Sequence, residues 1–164
     1  MGHGYGFICE KCGYEYRATT GAGMLFPIVY EETVEDIKKG KYGKERQRIM
    51  LKEPYAAVAA EEELYICSNC GNWKVAQNLS IYRPKDAEQI AKTEFGIKTA
   101  EEWGYVPYVM DDDLESDYEL VKTYVHKCGR CRQIMHIADE TESGNLKCPK
   151  CGTMNEAETE IMWD

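Results

Sequence analysis

No stretch of this chain is apolar for long enough to cross a bilayer. The longest apolar run, residues 55–60 (Tyr-Ala-Ala-Val-Ala-Ala), falls far short of the roughly 20 residues that a spanning helix needs. The opening Met-Gly-His-Gly-Tyr-Gly-Phe-Ile-Cys-Glu has neither a basic n-region nor an apolar h-region, so no secretory signal is expected. Gly6 breaks the myristoylation pattern. No P-loop, Ser-His-Asp set or paired-carboxylate motif can be identified. Gly21-Ala-Gly23 has Phe26 where a dinucleotide fold needs its third Gly, and it reads as a turn with an apolar plug. The acid-rich residues 111–119 lack the sixth-position Gly and the closing Glu of a calcium loop. A cytoplasmic chain without membrane partner, small-molecule substrate or catalysis is the expectation. Its 164 residues, with a mean hydropathy of -0.56, suit one compact domain or two small ones.

Positive charge is also in short supply. The formal net charge is -9, and two four-thiolate sites, each holding a divalent ion, would take it to about -13. Nucleic-acid binding draws its affinity largely from neutralised phosphates, so this balance disfavours nucleic acid as a partner and leaves protein as the expected one. The exception is residues 38–52, where Lys38, Lys39, Lys41, Lys44, Arg46, Arg48 and Lys52 face only Glu45. Such a run is ordinarily a solvated helix face.

What the chain does have is cysteine, all of it in four C-x-x-C pairs: Cys9/Cys12, Cys67/Cys70, Cys128/Cys131 and Cys148/Cys151. In a reducing compartment such pairs read as metal ligands. Two intervening residues make a tight turn that sets two thiolates at adjacent corners of a tetrahedron, about 2.3 Å from the metal. Gly13, Gly71 and Gly152 directly follow a second Cys, where a positive φ is often needed; around Cys128 and Cys131 the Gly lies inside the turn instead, at Gly129. The 16 residues between Cys131 and Cys148 match a C-x2-C-x15-20-C-x2-C zinc pattern. Spacing therefore predicts one site from Cys128, Cys131, Cys148 and Cys151, and elimination leaves Cys9, Cys12, Cys67 and Cys70 for the other. The long loop in that second site is tolerable because closure cost grows only logarithmically. With four thiolates available per site, His3, His126 and His136 are not expected to be ligands.

The organisation follows from this pairing. Residues 1–110 are expected to form one unit, residues 111–117 an acidic linker and residues 118–164 a second unit. In the first, helices are expected at Tyr30 to Lys39, Lys44 to Lys52, Pro54 to Glu63 (with an extended path as the alternative) and Pro84 to Phe95. Strands are expected at Leu64 to Ile66 and Trp73 to Tyr82. Thr99-Ala-Glu-Glu102 is a capping box. In the second unit, strands run into and out of the third knuckle.

Residues 118–152, with Cys-Gly-Arg-Cys and Cys-Pro-Lys-Cys-Gly, resemble a zinc ribbon. Residues 7–14, Phe-Ile-Cys-Glu-Lys-Cys-Gly-Tyr, resemble the first knuckle of rubredoxins, which combine a Cys-x-x-Cys-Gly-Tyr turn with a Cys-Pro-x-Cys-Gly turn around one iron. The resemblance implies a small metal-stabilised α+β fold: two rubredoxin-like zinc ribbons, the first with a helical insertion. On the expected pairing the two rubredoxin signatures fall on different sites, which favours zinc at both. An iron electron carrier at Cys9, Cys12, Cys67 and Cys70 is the alternative, and a nucleic-acid accessory role a second one. The leading expectation is a non-catalytic binding or scaffold module with structural zinc.

Overall fold

A computed structural model describes residues 2–163. In chain order its strands are β1 (Gly2–Ile8), β2 (Glu15–Thr20), β3 (Ala57–Val58), β4 (Glu62–Ile66), β5 (Trp73–Gln77), β6 (Ile81–Pro84), β7 (Glu94–Phe95), β8 (Lys98–Thr99), β9 (Tyr118–Lys122), β10 (His136–Ile137), β11 (Asn145–Lys147), β12 (Met154–Glu156) and β13 (Thr159–Trp163). Its helices are α1 (Phe26–Lys38), α2 (Lys44–Lys52), α3 (Ala87–Lys92), α4 (Ala100–Trp103), α5 (Asp111–Asp117) and α6 (Glu140–Ser143). This is the expected α+β composition, built from short sheets. The chain divides into two compact units, each assembled from separated segments.

The first unit comprises residues 2–24, 61–77 and 125–163. Here β13 pairs antiparallel with β1, which pairs with β2. A second sheet has the order β10-β4-β5, and β11 and β12 form a hairpin of their own. Strand β1 alternates Gly2, Gly4 and Gly6 opposite Trp163, Ile161 and Thr159. A Cβ on Gly4 would lie 2.9 Å from Ile161 Cγ1, and one on Gly6 2.4 Å from Thr159 Oγ1. Glycine therefore clears a trough along β1 that side chains of β13 fill.

The hairpin of β4 and β5 uses strand alternation on both faces. Leu64, Ile66, Trp73 and Val75 pack with Phe7, Tyr16 and Leu146 around Cys9 and Cys148. Tyr65 and Ala76 pack with Met135 around Cys67 and Cys128. One hairpin thus lies in two small cores.

The second unit comprises residues 25–60 and 78–124. Its sheet has the order β3-β6-β9. Phe26, Tyr30, Val34 and Ile37 are buried along α1, and Val58, Ile81, Ile90, Val106, Val109 and Leu114 are buried with them in this unit. Helix α1 starts four residues before its expected start, because Pro27 sits in the first turn, where its missing N–H costs nothing. Helix α2 has the expected bounds. The Thr99 capping box is formed with Glu102.

Two expectations are corrected. Residues 54–63 form no helix where one was read: after a turn at 54–55, Ala57 and Val58 pair with Tyr82 and Ile81, and 62–63 open β4. Ala57, Val58 and Ala60 are fully buried, and a backbone hidden this deeply needs the small side chains that had suggested a helix. Residues 111–117 are also no linker. They form α5, whose Leu114 is buried, and the chain continues directly into β9 at buried Tyr118. The division into 1–110 and 118–164 fails for the same reason that β13 exists: the last strand completes the sheet of the first.

Candidate metal centres

All four C-x-x-C turns have the same hydrogen bonds. The N–H of each leading Cys bonds the carbonyl five residues on, from Cys9 to Tyr14, Cys67 to Asn72, Cys128 to Gln133 and Cys148 to Thr153, at 2.8–3.0 Å. The residue after the second Cys returns its N–H to the leading Cys carbonyl, from Gly13, Gly71, Arg132 and Gly152, at 2.7–2.9 Å. This last residue takes a φ of 66, 67, 62 and 77° respectively. Glycine adopts that conformation freely, whereas Arg132 pays a steric cost. The leading cysteines are all buried, and their partners lie nearer solvent.

The knuckles do not combine as spacing predicted. The sulfurs of Cys9, Cys12, Cys148 and Cys151 lie within 4.8 Å of one another, and so do those of Cys67, Cys70, Cys128 and Cys131. The outer pair of knuckles makes one site and the inner pair the other. The physical reason is the sheet order. Strands β1 and β2 carry the first knuckle, β11 and β12 the fourth, and the two hairpins share a core. The third knuckle, closed by the Lys127–Ile134 bridge, is held beside the second by pairing of β10 with β4. Neither expected zinc set is brought together, not Cys128, Cys131, Cys148 and Cys151, and not Cys9, Cys12, Cys67 and Cys70, which was also the alternative iron set.

Both sites fit a single four-coordinate ion. A tetrahedron with bonds of about 2.3 Å has edges of about 3.8 Å. The sulfur separations are 3.4 Å for Cys9–Cys151, 3.8 Å for Cys12–Cys148, 3.4 Å for Cys67–Cys131 and 3.6 Å for Cys70–Cys128. All are far beyond a disulfide bond. The electrostatics also call for a cation. The backbone N–H of Cys131, followed by that of Arg130, pushes the Cys128 thiol down to about 6. The Thr153 hydroxyl and N–H push Cys151 down to about 6. Cys12 moves the other way, up to about 12: the N–H of Tyr14 favours its thiolate, but burial and the neighbouring sulfurs together outweigh it. Four adjacent thiols cannot all ionise unless a positive ion joins them.

Braces that the sequence did not reveal hold the knuckles. In the outer site, buried Asn155 accepts the N–H of Glu10 at 3.1 Å and donates to the Tyr16 hydroxyl at 3.1 Å and the Thr153 carbonyl at 2.9 Å. Tyr16 in turn donates to Leu146 O at 2.9 Å. In the inner site, His126 sits with its ring 4.0 Å from that of Tyr65 and its Nε2 3.2 Å from Gln77 O. His136 lies 3.1 Å from Ser68 Oγ through Nδ1 and 2.9 Å from Glu142 through Nε2. This Ser-His-Glu chain was not foreseen. It ties the second knuckle to β10 and α6, and Glu142 also closes the capping box of Asp139. No histidine belongs to either cysteine group among the described residues. The segment 38–52 lies in the second unit, where its charges are partly engaged: Lys39 with Glu35, Lys41 with Asp36, and Arg46 over the Tyr124 ring.

Among the described residues, no helix is long and apolar enough to cross a membrane. Comparison of the chain with models of protein families, with curated proteins and with solved structures found no match. Two four-cysteine groups able to hold metal ions are what the chain offers.

Proposed function

We propose that this chain is a non-catalytic cytosolic module, built on two structural zinc ions, that serves as a binding or scaffold protein for a protein partner. The observation that carries this reading is closure. Each site sets four sulfurs within 4.8 Å, and four thiolates fill a tetrahedron and leave no position for a substrate. The need for metal follows from the cores: the leading cysteines are themselves core residues of the first unit.

One observation favours a second reading at the outer site. The structure places Cys9-Glu-Lys-Cys-Gly-Tyr14 and Cys148-Pro-Lys-Cys-Gly152 in one cysteine group. These are the two turns that rubredoxins combine around iron. Phe7, Tyr14 and Trp73 each stack on Tyr16 nearby, with centroid separations of 4.8–6.3 Å. The alternative is therefore an iron electron carrier at Cys9, Cys12, Cys148 and Cys151, with structural zinc at the inner site.

Elemental analysis and a visible spectrum of protein purified without added metal decide between them. Two zinc per chain and no colour are expected. One iron with thiolate charge-transfer bands, abolished by Cys151→Ser, would establish the electron-carrier reading instead. A metal-free folded chain would overturn both.

A further inference from the structure

We infer that the two metal sites fill as one cooperative unit, coupled by a latch of Lys147 and Trp73. This rests on the reading of both cysteine groups as metal sites. Lys147 directly precedes the outer-site ligand Cys148, yet its Nζ donates to the carbonyl of the inner-site ligand Cys70 at 2.7 Å. Trp73, three residues beyond Cys70, returns the contact: its Nε1 donates to Lys147 O at 2.7 Å. The two bonds run in opposite senses between the chain entering the outer site and the chain leaving the inner one. Gly71 makes room for them, since a Cβ there would lie 2.6 Å from Lys147 Cε.

Packing adds to the latch. The hairpin of β4 and β5 carries Cys67 and Cys70 at its tip. One of its faces covers Cys9 and Cys148, and the other covers Cys67 and Cys128. An ion at the inner site fixes this hairpin and so builds a wall of the outer site. An ion at the outer site fixes β11 and delivers Lys147 to Cys70. Each binding event lowers the ordering cost of the other, which is positive coupling by linkage.

The test is native mass spectrometry of the reduced, demetallated full chain titrated with zinc. Independent equal sites give about half one-zinc chains when one zinc is present per chain. Coupled sites give mostly zero-zinc and two-zinc chains, and that is the expected result. Lys147→Met and Trp73→Phe each remove one bond of the latch. Each is expected to raise the one-zinc share by about twofold or more. A one-zinc share of about half or more in the unaltered chain overturns the coupling while leaving the metal sites in place. Two-zinc loading that stays fully cooperative in both variants overturns the latch. Uptake of no zinc at all overturns the metal reading with it.

Discussion

At the scale of single residues, the cost of each knuckle is concentrated in one backbone conformation. Gly13, Gly71 and Gly152 adopt it without strain, but Arg132 holds a φ of 62° with a full side chain. Arg132 is exposed, and its side chain is not needed to close the turn, whose bond to Cys128 O comes from its N–H. Arg132→Gly is therefore expected to stabilise the metal-loaded protein by about 1 kcal/mol, the left-handed penalty less the entropy glycine adds to the unfolded chain. Thermal unfolding with metal in excess checks this, and an unchanged or lower midpoint would contradict it. The eight candidate ligands were legible because C-x-x-C is a local motif whose geometry is complete within six residues. Arg132 was harder to see, since Gly129 drew attention to the inside of the turn. Asn155 was invisible, because Glu10 and Tyr16, two of its three partners, lie far away in the chain and no motif encodes them.

At the scale of elements, local signals and tertiary demands part company. Helix α2 and the Thr99 cap follow from periodicity and capping chemistry alone. The alanine-rich run before β4 does not, since alanine serves equally a helix and a strand that must be buried on both faces. The acids of 111–117 masked the spacing of Leu114 and Tyr118, the two side chains that fix α5 and the start of β9. Strand β1 offers the sharpest element-level test. Its Gly-x-Gly-x-Gly alternation lets Trp163, Ile161 and Thr159 lie over the strand. Gly4→Val would drive a branched side chain into Ile161, and overpacking of this kind costs about 1–3 kcal/mol. The expected readout is a lower melting temperature together with faster amide exchange in β13. A variant with both unchanged would show that the trough does not hold the strand.

At the scale of the whole molecule, the two units differ in what stabilises them. The first has small cores that include cysteines of both candidate metal groups. Structural zinc supplies roughly 10–16 kcal/mol of apparent binding energy in small peptides, and such folds are lost without it. The second unit buries Tyr30, Ile37, Val58 and Ile81 completely and has no cysteine. Chelation should therefore abolish hydrogen-exchange protection in β1, β2, β4, β5 and β13 while α1, β3, β6 and β9 keep theirs. Uniform loss, or uniform retention, would contradict this division. That the chain carries cysteine groups able to hold metal was legible in the sequence, but which knuckles join in each group was not. Spacing favours neighbours along the chain, and only the strand order reveals that the first knuckle belongs with the last. That nesting has a consequence for how the protein is made. A ribosome releases the first two knuckles well before the third, so a nascent chain offers Cys9, Cys12, Cys67 and Cys70 to a passing ion before any native site exists. If an ion binds that early, the native groups form only by exchange, the inner one after Cys131 has emerged and the outer one after Cys151.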